Sequence, residues 1–242
     1  LFPLLRSLVD ERLRAGERCG QFLILGSASP ELLARSSESL AGRIAYHELT
    51  PFRLDELLDA VTGMEPLDLL WERGGFPLSF LAPDPETSWE WRRQFVFTYL
   101  ERDFSRLGEG MPAERMRRFW AMLGFGQGNL LNAARLAASL GVSGHTIRAY
   151  LDLLTDLFMV RQLPPWSGNS SKRLVKSPKI YLRDSGILHY LTQIHDMELL
   201  LSHPLCGTSW EGFAIEQIAT ALSADWQCMF YRTSAQAEID LV

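Results

Sequence analysis

Apolar residues set the first element: Leu4, Leu5, Leu8, Val9 and Leu13 recur at helical spacing. Phe22-Leu23-Ile24-Leu25, closed by Gly26, then reads as a short strand buried on both faces. Ser29-Pro30-Glu31 combines a cap, a proline at the first helical position and an acid in the first turn, which predicts a helix to about Leu40. Ile44 to Leu49, closed by Thr50-Pro51, is a second strand candidate. This alternation marks the tail of an α/β domain. From Pro66 to Leu157 the pattern is almost wholly helical, punctuated at Gly74-Gly75, Pro83 to Pro85, Gly108 to Pro112 and Gly124 to Gly128. Beyond it, strands are predicted near Met159 to Leu163, Lys179 to Leu182, Cys228 to Arg232 and Glu238 to Val242. Helices are predicted near Ser185 to Ile194 and Trp210 to Leu222.

Within the helical region, Leu136, Ala137, Leu140, Val142, Ile147, Leu151 and Leu154 have the spacing of two short helices packed across a tight turn, a helix-turn-helix. Gly141 can take the positive φ that ends the first helix, and Ser143 can cap the second. His145, Thr146, Arg148 and Ala149 then lie near the exposed start of the second helix, the end that would enter a major groove of DNA. The same spacing also serves packing and protein-interaction modules. A basic stretch follows: Arg161, Lys172, Arg173, Lys176, Lys179 and Arg183 with no Asp or Glu among them. Trp166-Ser167-Gly168-Asn169-Ser170-Ser171 reads as a hairpin tip, so the cations, Lys172, Arg173 and Lys176 foremost, would project as a wing toward phosphates. The alternative is a solvated loop whose charges pair with acidic helices elsewhere in the chain.

Composition narrows the partners. The 242 residues are nearly half apolar, enough for one large core or several small ones, and the net charge of −5 excludes coating of nucleic acid by overall positive charge. Any such contact must be local. Cys19, Cys206 and Cys228 are far apart and form no CxxC pair, which suits a reducing, cytoplasmic compartment. No apolar run is long enough for a membrane span, and no membrane partner is expected. Leu1 opens the sequence without a methionine and Val242 closes it inside a strand pattern, so both ends read as cut.

The C-terminal end carries the other candidate chemistry. Gly212-Phe213-Ala214-Ile215-Glu216 sits on a helix, and Tyr231-Arg232 leads through a polar turn to Glu238-Ile239-Asp240-Leu241-Val242. Strand alternation puts Glu238 and Asp240 on one face. Two carboxylates at a sheet mouth can hold Mg²⁺ if a helix acid and a nearby lysine complete the set, and the lysine is expected to be missing from this chain. The plain alternative is an amphipathic edge strand with a solvated acidic face. His189, His195, His203 and Cys206 match no zinc spacing and are expected to be ordinary surface or helix-end residues. Trp89, Trp91, Phe95, Phe97 and Tyr99 read as helix core and elbow packing. No GxxxxGK[ST] phosphate loop occurs.

Several short pieces, as an ordered set, resemble a large prokaryotic family of AAA-type ATPases with a C-terminal domain of unknown function. They are Phe22-Leu23-Ile24-Leu25-Gly26-Ser27-Ala28-Ser29, Ser39-Leu40-Ala41-Gly42-Arg43, Arg73-Gly74-Gly75-Phe76-Pro77, Tyr99-Leu100-Glu101-Arg102-Asp103, Tyr181-Leu182-Arg183-Asp184-Ser185-Gly186 and Trp210-Glu211-Gly212-Phe213. The resemblance implies a multi-domain α/β protein. Residues 1–65 would be the end of a P-loop-type ATPase core, 66–128 a helical linker, 129–183 a winged helix-turn-helix, and 184–242 the start of a PD-(D/E)xK, restriction-endonuclease-like lobe. It further implies that Ser27 is a sensor residue and that Arg43 lies near the nucleotide as a sensor or arginine finger, which would make a homo-oligomer plausible by analogy. The plain alternative for Arg43 is a surface arginine between helix and strand. In the nuclease-like lobe, Glu216 would match the helix acid and Asp240 the central metal acid, with the completing acid and lysine beyond Val242. ATP and Mg²⁺ would then belong to the full-length protein, and this chain, without the phosphate loop, is expected to bind neither and to be inactive. The alternative is a non-catalytic winged-helix regulator that binds DNA or protein.

Overall fold

The computed structural model describes residues 2–25, 40–57, 65–99, 112–166, 177–223, 225–233 and 237–242. Its content is mixed α and β, mostly helical with short strands, and it separates into two compact units. One is Leu1–Leu49 with Asp156–Phe158; the other is Thr50–Thr155 with Met159–Val242.

In the first unit, helix α1 (Phe2–Arg14) forms on the expected apolar spacing, with Arg12 and Arg14 in the last turn, where the helix dipole favours cations. Asp10 on α1 holds Arg43 through a 2.6 Å ion pair. The strands expected at Phe22–Leu25 and Ile44–Leu49 do not form: these residues carry no ladder, and Leu23, Leu25 and Leu49 are largely exposed. A strand exists only where a neighbour takes its N–H and C=O groups, and the described residues of this unit offer none. The helix expected from Pro30 lies outside the described residues apart from its end.

In the second unit, prolines open successive helices. These are α2 (Leu54–Leu57), α3 (Pro66–Arg73), α4 (Pro77–Phe80) and α5 (Pro85–Tyr99), the last three each starting on proline, whose missing N–H costs nothing in a first turn. Gly74, at φ +77, ends α3. On α5, Trp91, Phe95 and Tyr99 stack at 5.1 and 5.2 Å, and Phe76 packs 4.7 Å from Phe95, as elbow packing requires. Phe97 instead faces outward.

Then come α6 (Ala113–Phe125), α7 (Ala133–Leu140) and α8 (Gly144–Asp156). Met116, Phe119 and Trp120 of α6 are fully buried, as are Ile147, Leu151 and Leu154 of α8; Phe119 meets Tyr150 edge-on at 5.7 Å. Strands β1 (Val160–Leu163) and β2 (Lys179–Leu182) pair antiparallel, Val160 opposite Leu182 and Leu163 opposite Lys179. Residues 128–131 line the other side of β2 through Leu130 opposite Lys179.

Helix α9 (Ser185–Thr192) is buried along most of its length and packs against α3, α5, α6, β2 and α11 (Cys206–Ala221). A short helix, α10 (Met197–Ser202), capped by Asp196, precedes α11. Leu57, Leu70, Trp71, Phe80, Ile194, Leu200 and Phe213 form one core cluster. A second contains Leu163, Tyr181, Ile215 and Phe230, under a hairpin of β3 (Tyr231–Arg232) and β4 (Glu238–Ile239). The hairpin joins the end of β1 through a parallel bridge between Pro165 and Phe230. No helix among the described residues is long and apolar enough to cross a membrane.

Candidate functional site

The turn between α7 and α8 forms as its sequence predicts. Asn132 caps α7 by accepting from Arg135 N at 2.9 Å, and Gly141 ends it in the left-handed region at φ +64. Ser143 Oγ then accepts from Thr146 N at 3.0 Å and sits 2.9 Å from the Thr146 hydroxyl. Burying Ile147, Tyr150 and Leu151 turns His145, Arg148 and Ala149 outward, with Thr146 half-buried. Arg135 on α7 is also exposed. Lys172, Arg173 and Lys176 lie outside the described residues.

The remaining cations of the basic stretch do not project outward. Arg161 binds Glu216 with Nε 2.6 Å from Oε2 and Nη2 3.0 Å from Oε1, and Arg183 Nε reaches the same Oε1 at 2.7 Å. Lys179, only 4% exposed at its side chain, places Nζ 2.7 Å from both Glu238 Oε1 and Asp240 Oδ1 and 3.1 Å from Glu211 Oε1. Tyr181 donates its hydroxyl to the same Glu211 oxygen. Lys179, Tyr181 and Arg183 alternate along one side of β2, so one strand face meets Glu211 and Glu216 of α11 together. Half of the stretch that reads as phosphate-facing is thus an internal ionic layer.

Glu238 and Asp240 do share a face, as strand alternation predicts. Glu216 is not with them: the α11 acid they meet is Glu211. Their lysine is Lys179, from a strand about sixty residues earlier, where no lysine was expected. The trace it left in the sequence is a lone ammonium in the otherwise apolar run Lys179-Ile180-Tyr181-Leu182. The set of two strand acids, a helix acid and a lysine is thus assembled, with Glu211 in the place expected for Glu216; as arranged, the ammonium occupies the carboxylate oxygens that a Mg²⁺ would need, so an ion would have to displace it. Among the described residues, no three His, Cys, Asp or Glu side chains gather as a metal site.

The nucleotide-sensing positions are equally plain. Ser27 lies outside the described residues, and Arg43 is committed to Asp10 and to the Ala41 carbonyl, 3.1 Å away.

The glycine-rich pieces have an architectural explanation. Asp184 is buried, accepts from Ile187 N and Gly75 N at 2.8 Å each, and so ties the start of α9 to the end of α3. Burial raises its pKa against these hydrogen bonds. A Cβ on Gly74 would meet Asp184 Oδ1 at 2.2 Å, and one on Gly186 would meet the Arg73 carbonyl oxygen at 2.1 Å. Beside this seam, His189 is buried rather than at the surface, its Nδ1 2.9 Å from Glu72 O and its Nε2 2.8 Å from Ser209 Oγ, which also accepts from Trp71 Nε1 at 3.0 Å. Ser209 has no solvent access, so this Ser–His pair offers no nucleophile to a substrate. A small open cleft of about 20 Å³ nearby is lined by Arg53, Arg183, Asp184, Glu216, Gln217 and Thr220 among others. Arg53 Nη1 donates to Thr220 O at 3.3 Å and Leu54 N to Gln217 Oε1 at 2.8 Å, so these polar groups mainly bond one another.

The chain belongs to the family described as Domain of unknown function (DUF8612), whose profile matches residues 64–198, the stretch from before α3 to the start of α10. It is 48% identical over 241 residues to the uncharacterized protein Mb2031c of Mycobacterium bovis, and equally to the uncharacterized protein Rv2008c of Mycobacterium tuberculosis. Each match covers 100% of this chain and 52% of the relative, so the chain spans about half the length of the curated relatives it matches. No solved structure matches it.

Proposed function

We propose that the chain is the DNA-associated part of a longer AAA-family ATPase, with residues 129–183 acting as a winged helix and ATP and Mg²⁺ bound by other parts of the longer protein. The observation that carries this reading is the order α6, residues 128–131, α7, α8, β1, β2, with His145 and Arg148 exposed at the start of α8. That order is the one in which a recognition helix is followed by two strands and a basic connection. Arg135 adds a cation on α7. The segment from α11 to β4 is read as restriction-endonuclease-like in layout alone, since its acids are taken up by Lys179. The chain by itself is expected to hydrolyse neither ATP nor DNA.

Fluorescence anisotropy with a labelled duplex of about 20 bp, titrated at several salt concentrations, tests the reading. Binding should weaken steeply with salt, and Arg148→Glu should lower the slope of log K against log salt by about 1. Absence of binding at about 50 mM salt would sink the proposal. One observation favours a second reading, a non-catalytic winged-helix module that binds protein: Asp152, one turn beyond Arg148, is also exposed, giving the outer face of α8 both signs of charge. Salt-insensitive capture of a protein without DNA affinity would support that alternative.

A further inference from the structure

Lys179 engages three carboxylates at once. An ammonium has three donors, and here three carboxylates from two elements take them: Glu211 of α11, and Glu238 and Asp240 of the strand at the C-terminal end. The lysine is buried, and Nζ stands 5.7 Å from the centroid of the buried Phe230 ring. Burial opposes the charge, yet the hydrogen bonds to Asp240 and Glu238 outweigh it and keep the lysine protonated. Arg232 Nη1, 3.5 Å from Glu238 Oε2, supplies a second cation on the outer side. The backbone joins the hairpin through Tyr231 and Arg232 against Ile239 and Glu238, through Met229 with Val242 and Thr233 with Ala237, and ties Phe230 to Pro164 and Trp166. It is therefore the strand of Glu238 to Val242, at the outer edge, that has the ionic cluster as its side-chain tie to β2 and α11.

We infer that Lys179 is a built-in counter-ion that clasps the C-terminal hairpin to β2 and α11, occupying with its ammonium the position a divalent cation would take between Glu211, Glu238 and Asp240. The acids then stabilise the fold without metal, and losing the ammonium loosens the hairpin's outer strand against β2 and α11. This stands apart from the DNA-binding reading and can fail or hold independently of it.

Hydrogen exchange on the whole chain tests the clasp. Lys179→Met should speed exchange across residues 229–233 and 237–242 by at least about tenfold while leaving α7 and α8 protected. If that variant does not fold, Glu238→Gln combined with Asp240→Asn keeps the shape of the exposed strand, removes two of the three partners and should loosen the same segment. Titration of the unaltered chain with Mn²⁺, followed by electron paramagnetic resonance, should give no saturable binding up to about 1 mM. Unchanged hairpin protection in the double variant, or saturable Mn²⁺ binding that Asp240→Asn abolishes, would overturn the inference.

Discussion

At Gly186 a single hydrogen atom decides how closely two helices approach. Any side chain there must displace the Arg73 carbonyl, which a Cβ would meet at 2.1 Å with backbone on both sides. Gly186→Ala is therefore expected to cost about 1–3 kcal/mol or somewhat more. Gly207, at the start of α11, has nothing within 4 Å of its notional Cβ, so Gly207→Ala should be neutral or stabilise by up to about 1 kcal/mol. Urea unfolding of the two variants separates a packing role for Gly186 from a generic glycine effect. His189 offers a second measurement at this scale. Burial lowers its pKa to about 4, with Arg92 pushing the same way against its hydrogen bond to Glu72 O. Because the folded value lies below the unfolded 6.5, His189 is held neutral. Its contribution is fully present above about pH 6.5 and is lost as pH falls toward 4, on the order of 3 kcal/mol in all. The buried Asp184 and the half-buried Glu72 have raised values and act in the opposite sense, so the useful quantity is a difference. Between pH 7.5 and 4.5, His189→Gln should lose less stability than the unaltered chain. Parallel losses would show that the ring is not held neutral.

Elements whose signals are local form where the pattern places them. The turn from Leu140 through Gly141 to Ser143 needs only one residue at positive φ and one hydroxyl, both present in the sequence and both used. Ser143→Ala should cost about 1 kcal/mol and fray the first turn of α8, measurable as faster amide exchange at Thr146 and its neighbours. An unchanged exchange rate there would remove the cap from the account. β2 and α9 are similarly legible, the first from Lys179 to Leu182 and the second opening on Asp184. Helix α10 leaves no period in the sequence, being a single capped turn and a half. Phe22–Leu25 and Ile44–Leu49 were misread for the opposite reason: an apolar run reports what a strand would bury and says nothing about whether a partner is present. The site followed the same division. Glu238 and Asp240 on one face were legible because alternation is local. Lys179 meeting them, and Glu211 in place of Glu216, depended on how β2 crosses α11, which no spacing encodes. That same crossing turned Arg161, Lys179 and Arg183 from apparent phosphate ligands into internal partners of carboxylates.

For the whole molecule, the charge balance makes the nucleic-acid reading demanding. A chain at −5 repels a polyanion at long range, so affinity must come from a few cations at short range. Since Arg161, Lys179 and Arg183 are paired internally, the exposed cations among the described residues of the proposed interface are Arg135 and Arg148 on the helices, and the sequence between β1 and β2 adds Lys172, Arg173 and Lys176. With so few contacts, reversing three of them should be decisive and not incremental. Lys172→Glu, Arg173→Glu and Lys176→Glu together are expected to abolish duplex binding at about 100 mM salt while leaving the urea midpoint unchanged, because the described ionic layer that ties β2 to α11 is carried by Arg161, Lys179 and Arg183. Anisotropy and unfolding of the same preparation provide both readings. Retained affinity in the triple variant would remove the connection from the interface and leave the start of α8 to carry DNA alone. A lowered midpoint would mean that these cations serve the fold, as the other half of the stretch does.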